Sequence, residues 1–61
     1  GRMDDLLFIE EVAKRLRRSP AQVRWMLTQG TAPKHGKIAG RIVFRTSDVE
    51  QFIEDAFAEA V

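Results

Sequence analysis

Residues 9–30, IEEVAKRLRRSPAQVRWMLTQG, contain two helix patterns separated by a very short turn, and this pairing is the main indication of the architecture. In the first pattern, apolar residues recur at the spacing of one helix face from Ile9 to Leu16. The acidic Glu10 and Glu11 lie at the N-terminal end of this helix and basic residues crowd its C-terminal end, as the helix dipole favours. The pattern predicts a first helix over about residues 9–17.

The second helix has the strongest start signal in the chain. Ser19 is a good N-cap, Pro20 suits the first helical position, and Gln22 is placed to complete a capping box. Gly30 can end the helix in a left-handed conformation, so we expect a helix over about residues 20–29. Because only two residues separate the two helices, they should form a helix-turn-helix unit.

A β-hairpin is predicted over about residues 34–45, because Pro33 bars continuation of the helix and the returning strand alternates strictly. Ala39 and Gly40 form the tip, where Gly40 supplies a positive φ. The alternation predicts a two-stranded ribbon with Ile42 and Phe44 on its inner face and Arg41, Val43 and Arg45 on its outer face.

A third helix is predicted over about residues 47–59, opened by a second capping box of Ser47 and Glu50. Its apolar stripe comprises Val49, Phe52, Ile53, Ala56, Phe57 and Ala60. The apolar lead-in of residues 6–8 is expected to fold back on the first helix. Together the elements predict a mostly helical α+β domain, a small winged helix-turn-helix over residues 6–61, after a tag remnant at residues 1–5.

The charge pattern points to a polyanionic partner. Nine basic residues and no acidic one lie between Val12 and Ser47, whereas all nine acids lie outside this segment, so the net charge of +1 conceals a dipolar molecule. The cleft beside the second helix is therefore expected to be free of acids. With no cysteine, neither a zinc site nor a Cys/His catalytic pair can be built, and His35, the only histidine, is expected to be a surface or turn residue, so an enzyme is not expected. No apolar run is long enough to span a membrane.

These motifs resemble the excisionase/MerR-like winged-helix DNA-binding family. The resemblance covers about residues 6–54 and looks closest to the excisionases of temperate phages, also called recombination directionality factors. It departs at Phe8, where the family usually has a Thr or Ser that caps the first helix, and at Trp25, where Arg or Tyr is common. The matching segments are Phe8–Ala13, Ser19, Val23, Gly30, Pro33, Gly40–Arg45 and Ser47–Phe52.

The resemblance implies a function as well as a fold. Several copies would assemble cooperatively on attachment-site DNA, bend it and direct a phage integrase toward excision in the cytoplasm of a bacterial host. The expected partners are double-stranded DNA, other copies of the chain and the integrase, with no cofactor and no metal. The alternatives are a small MerR-like or AlpA-type transcriptional regulator and, from a different class, a protein-interaction adaptor.

The predicted DNA contacts fall into three groups. With Val23 facing the core, the outer face of the second helix would enter the major groove and the hairpin tip the adjacent minor groove. Gln22 could instead serve only the capping box, and Trp25 could instead pack against the first helix or the wing. The major-groove set is Pro20, Ala21, Gln22, Arg24, Trp25 and Thr28; the minor-groove set is Lys37 and Arg41; the phosphate set is Arg15, Arg18, Ser19, Lys34 and Arg45.

Overall fold

The computed structural model describes residues 5–59, in which three helices and three strands form the predicted winged helix-turn-helix. Residues 1–4 of the expected tag remnant and Ala60 of the expected apolar stripe lie outside the described part. In chain order the elements are β1 (Leu6–Leu7), α1 (Ile9–Leu16), α2 (Pro20–Gln29), β2 (Gly36–Ile38), β3 (Arg41–Arg45) and α3 (Thr46–Glu59).

The turn between α1 and α2 is built by local hydrogen bonds. Helix α1 ends at Leu16, one residue earlier than expected, because Arg17 adopts a left-handed conformation with φ 57°. The N–H of Arg18 then donates to the Ala13 carbonyl at 2.8 Å, which closes the helix end. Helix α2 begins and ends as predicted, with Gly30 at φ 75° after its last residue. The helix-turn-helix prediction is confirmed.

The predicted hairpin is confirmed as β2 and β3, but the sheet has a third strand that the sequence did not predict. Strand β1 pairs antiparallel with β3, with Leu7 opposite Phe44, and β3 lies between β1 and β2. The apolar lead-in therefore joins the sheet, where Leu7 is buried beside α1. Two residues are too few to show the alternation that marks a strand in a sequence, and a third strand gives the hairpin the support that an isolated ribbon lacks.

The hairpin closes with a two-residue turn at Ala39 and Gly40, which have φ values of 52° and 79°. Positive φ at both central residues is the requirement of a type I′ turn, whose twist matches that of the flanking strands. Gly40 has the predicted conformation, and Ala39 adopts a left-handed one that is unfavourable for a residue with a Cβ. The turn places Arg41 directly at the base of the tip.

The core lies between the sheet and the helices. Its buried side chains are joined at the edge by Ile42, which is partly buried, so Ile42 and Phe44 face inward as predicted. Val43 belongs to the opposite face of the strand but is only 7% exposed, which corrects the expectation of an outward position in solvent. It is buried because β3 is the central strand and has a neighbour on each side. The buried core cluster is Leu7, Val12, Ala13, Val23, Phe44 and Val49.

Helix α3 begins at Thr46, one residue before the predicted start, so Ser47 lies inside the helix instead of capping it. The backbone N–H and the hydroxyl of Thr46 both donate to the Asp5 carbonyl, at 3.1 and 3.0 Å, which ties this start to the first strand. Val49 is buried, but Phe57 is 73% exposed, so the predicted stripe packs only in its first half. A helix of 14 residues is about 21 Å long, so its C-terminal half extends past the surface against which its first half packs.

Candidate nucleic-acid interface

The outer face of α2 is exposed along its whole length. Val23 is fully buried in the core, and the helical repeat turns Ala21, Trp25 and Thr28 to the opposite side. Gln22 and Arg24 lie on the flanks of this outer face. This helix contains no acidic residue, so its outer face presents hydrogen-bond donors, one cation and an aromatic ring to a binding partner. The exposed side chains are Pro20, Ala21, Gln22, Arg24, Trp25, Thr28 and Gln29.

Trp25 projects from this face with 63% of its surface exposed. The alternative in which the indole packs against the first helix or the wing is therefore wrong. An indole left in water is costly, and its N–H is a hydrogen-bond donor, so Trp25 suits a surface that becomes covered on binding a partner.

Three polar side chains of the interface already hold hydrogen bonds within α2 or at its cap. Ser19 Oγ accepts from the Gln22 N–H at 3.2 Å, and Gln22 Oε1 accepts from the Ser19 N–H at 3.3 Å, which completes the predicted capping box. The capping box does not use the Gln22 amide nitrogen, which can donate to a phosphate or a base. The Thr28 hydroxyl donates to the Arg24 carbonyl at 3.2 Å, so toward DNA it offers an acceptor and a methyl group.

A groove runs between α2 and the wing, and the predicted basic residues of both elements line it. Arg24 comes from α2, and Lys37 and Arg41 come from the two strands of the hairpin. The structure thus brings together the central major-groove candidate and both minor-groove candidates. The other lining residues are Ile9, Glu10, Gly40 and Ile42.

Glu10 corrects the expectation that this cleft is free of acids. Its Oε2 lies 3.7 Å from Arg24 Nη2, and its Oε1 lies 3.7 Å from Arg41 Nη2. In the sequence Glu10 stands outside the basic segment, but the pairing of β1 with β3 brings the first turn of α1 beside the wing. Sequence reasoning missed this residue because its position depends on a strand that the sequence did not reveal.

Phe8 also lies in the site. The sequence predicted it only as part of the apolar lead-in, at a position where the family usually has a Thr or Ser that caps the first helix. The guanidinium of Arg41 lies 3.8 Å from the centroid of the Phe8 ring, a cation–π contact that holds the base of the wing against the start of α1. The helix start is partly satisfied without a capping hydroxyl, because Glu11 Oε1 accepts from the Phe8 N–H at 2.8 Å. The Phe8 ring, at the position where the family usually has a Thr or Ser, thus orients Arg41 of the wing.

The remaining predicted phosphate contacts do not all gather at this groove. Lys34 and Arg45 line a second groove on the outer sheet face with Lys37, and Arg45 Nε donates to Asp48 Oδ2 at 3.0 Å. Arg15 lines a third groove, between α1 and the exposed part of α3. Arg18 is exposed in the turn before α2. The cations of α2 and the wing are contiguous through Lys37, whereas Arg15 lies apart from them.

Within residues 5–59, no cluster of histidine or acidic side chains could hold a metal ion, and no helix is long and apolar enough to cross a membrane. His35 is held in the wing approach, where its Nδ1 lies 2.9 Å from the Pro33 carbonyl and its ring contacts that of Phe44. The site thus combines the cations and hydrogen-bond donors of α2 and the wing with the exposed indole of Trp25, the Phe8 ring and the Glu10 carboxylate.

A family model described as a helix-turn-helix domain matches residues 6–56. The match covers most of the chain, so the protein belongs to this helix-turn-helix family, which includes excisionase-like DNA-binding proteins. Membership indicates a DNA-binding domain of a kind that is typically not enzymatic. No curated protein and no solved structure matched the chain.

Proposed function

We propose that residues 6–61 form one DNA-binding unit that places α2 in the major groove of duplex DNA and the tip of the wing in the adjacent minor groove. The observation that carries the proposal is the shared groove in which Arg24 of α2 lies beside Lys37 and Arg41 of the wing. An α-helix fits the major groove, and an arginine at the tip of a hairpin suits the negative potential of a narrow minor groove.

Arg24 and Arg41 have different roles in this docking. Arg24 lies on the exposed face of the helix, where a guanidinium can take guanine O6 and N7 together or clamp a phosphate. Arg41 is held over the Phe8 ring at the base of the tip, so it enters the minor groove from a defined position. Trp25, Gln22 and Thr28 complete the major-groove surface.

The proposal is tested by fluorescence anisotropy on a 20-base-pair duplex that the protein selects from a random library, at 50 and 200 mM salt. If five to seven cations meet phosphates, log K should fall against log salt with a slope between about −4.5 and −6.3. Arg41→Ala should weaken binding and make the slope shallower by about 0.9. If Arg24 binds guanine, Arg24→Ala should reduce the difference in binding free energy between the selected duplex and one with a mismatched base by about 1–3 kcal/mol.

A matched control removes the same charge elsewhere. Arg17 lies in the groove against α3 and has a positive φ, so Arg17→Gly removes a cation without adding backbone strain. This variant should bind the selected duplex nearly as well as the parent. Unchanged binding by both Arg24→Ala and Arg41→Ala would contradict the proposed docking.

We further propose that the domain acts as an excisionase in a bacterial cytoplasm, with several copies on attachment-site DNA that bend it and direct an integrase toward excision. The sequence resemblance supports this, and so does the helix α3, which keeps Phe57 exposed and carries an acidic outer face beyond the DNA-binding groove. These features leave α3 available to a neighbouring protein while α2 and the wing hold DNA.

The excisionase proposal is tested on DNA with one, two and three copies of the selected site. Cooperative filling, a bend seen by circular permutation, and stimulation of excision by an integrase would support it. Independent filling of single sites without bending would favour the small MerR-like or AlpA-type regulator. A salt-insensitive association with a protein through Trp25 and Phe57, without affinity for DNA, would favour the adaptor.

A further inference from the structure

Glu10 is the one acidic side chain among the residues that line the groove between α2 and the wing in the described part of the chain. Its two carboxylate oxygens face two different arginines, Arg24 of α2 and Arg41 of the wing, each across 3.7 Å. The carboxylate thus links the two elements that are proposed to enter the two grooves of DNA. A carboxylate between two arginines affects how readily their guanidinium groups bind phosphates and base edges.

The contacts of Glu10 are ion pairs without tight hydrogen bonds. Both distances exceed the 2.7–2.9 Å of a charge-assisted hydrogen bond, and the side chains are more than half exposed, Glu10 at 53%, Arg24 at 58% and Arg41 at 61%. Exposed pairs of this kind are weak and are screened by salt. Glu10 therefore biases the position of both guanidinium groups without locking either of them.

Phosphates and base edges respond differently to this carboxylate. A phosphate that approached the two arginines would bring a full negative charge next to that of Glu10, which repels it. The O6 and N7 atoms of guanine carry only partial charges, so Arg24 can engage them while Glu10 stays in place. Glu10 should therefore penalise contact with the DNA backbone, which carries no sequence information, more than contact with bases.

We infer that Glu10 is a specificity-determining positioning residue. It biases Arg24 and Arg41 toward a common orientation and penalises the approach of backbone phosphates to the groove between them, so that non-specific duplex is bound less tightly. This inference rests on the proposed docking of α2 and the wing.

The test compares Glu10→Gln with the parent on two 20-base-pair duplexes, one selected by the parent from a random library and one with the same bases scrambled. Glu10→Gln should bind the scrambled duplex about fivefold more tightly at 50 mM salt, as expected for loss of one exposed charge interaction. Its salt slope should steepen by about 0.9, which is an additional loss of ~3.5-fold between 50 and 200 mM salt. The gain on the selected duplex should be smaller, so the ratio of the two affinities falls.

Two further variants separate the role of Glu10 from general charge effects. Glu54→Gln removes the same charge from the exposed face of α3 and should leave the affinity ratio unchanged. Glu10→Asp keeps the charge and should restore most of the discrimination. The Nε–Hε NMR signals of Arg24 and Arg41 in the free protein should shift in Glu10→Gln and not in Glu54→Gln, which tests the positioning without DNA.

The failure of each proposal has its own signature. If the parent binds neither duplex, or selection returns no preferred sequence, the proposed docking falls and the inference falls with it. If the parent discriminates but Glu10→Gln gains equally on both duplexes, or behaves as Glu54→Gln does, only the inference is overturned. Retained helical circular dichroism in each variant shows that the comparison is made between folded proteins.

Discussion

The hairpin that carries Arg41 depends on the backbone conformation of Gly40, and a pair of glycines isolates that dependence. Gly40 has φ +79° at the tip, whereas Gly36 lies in β2 outside the left-handed region. An added methyl group would meet no heavy atom within 4 Å at either position. The substitutions Gly40→Ala and Gly36→Ala are therefore equal in sterics and differ in the backbone conformation required of alanine.

The expected magnitudes follow from that difference. Alanine in either position reduces the conformational entropy of the unfolded chain. This effect raises the free energy of unfolding by about 0.4–1 kcal/mol. At Gly40 the left-handed conformation costs alanine about 1–2 kcal/mol, so the net effect there is destabilising. Because the unfolded-state term is common to both variants, their free energies of unfolding should differ by about 1–2 kcal/mol.

Thermal denaturation followed by circular dichroism measures this difference. In a domain of this size, 1 kcal/mol corresponds to about 4–8 °C, so Gly36→Ala should melt roughly 4–16 °C above Gly40→Ala. The parent should lie between the two. Equal melting temperatures for the two variants would refute the type I′ turn, and with it the position assigned to Arg41.

A fully buried aromatic residue, Phe44, and a mostly exposed one, Trp25, should respond in opposite ways to truncation. Phe44→Ala should lower the free energy of unfolding by about 3–5 kcal/mol because the ring is fully buried. A loss of this size is comparable to the whole stability of a 61-residue domain, so the variant should be largely unfolded. Urea denaturation followed by circular dichroism measures this loss. Trp25→Ala should leave the melting temperature within about 4 °C of the parent, because the indole is mostly exposed, yet lower the affinity for the selected duplex about tenfold in anisotropy titrations. A destabilised Trp25→Ala variant with parental DNA affinity would place the indole in a structural role.

The comparison of Arg24 with Glu10 shows what the sequence could and could not predict about the candidate site. Arg24 was predictable because its exposure follows from the repeat of one helix whose buried face is set by Val23. Glu10 was not, because its place in the groove follows from the pairing of β1 with β3, between segments more than 30 residues apart.

Local structure was predictable from the residues alone: where α2 begins and ends, the turn between α1 and α2, and the hairpin tip at Gly40. Capping boxes and tight turns involve atoms within about four residues of one another, so their signals survive in a single sequence. Long-range packing, in contrast, pairs Leu7 with Phe44 in a third strand, buries Val43 and leaves Phe57 exposed. These outcomes depend on which surfaces meet in three dimensions, and no local pattern records a contact between residues as far apart in the chain as Leu7 and Phe44.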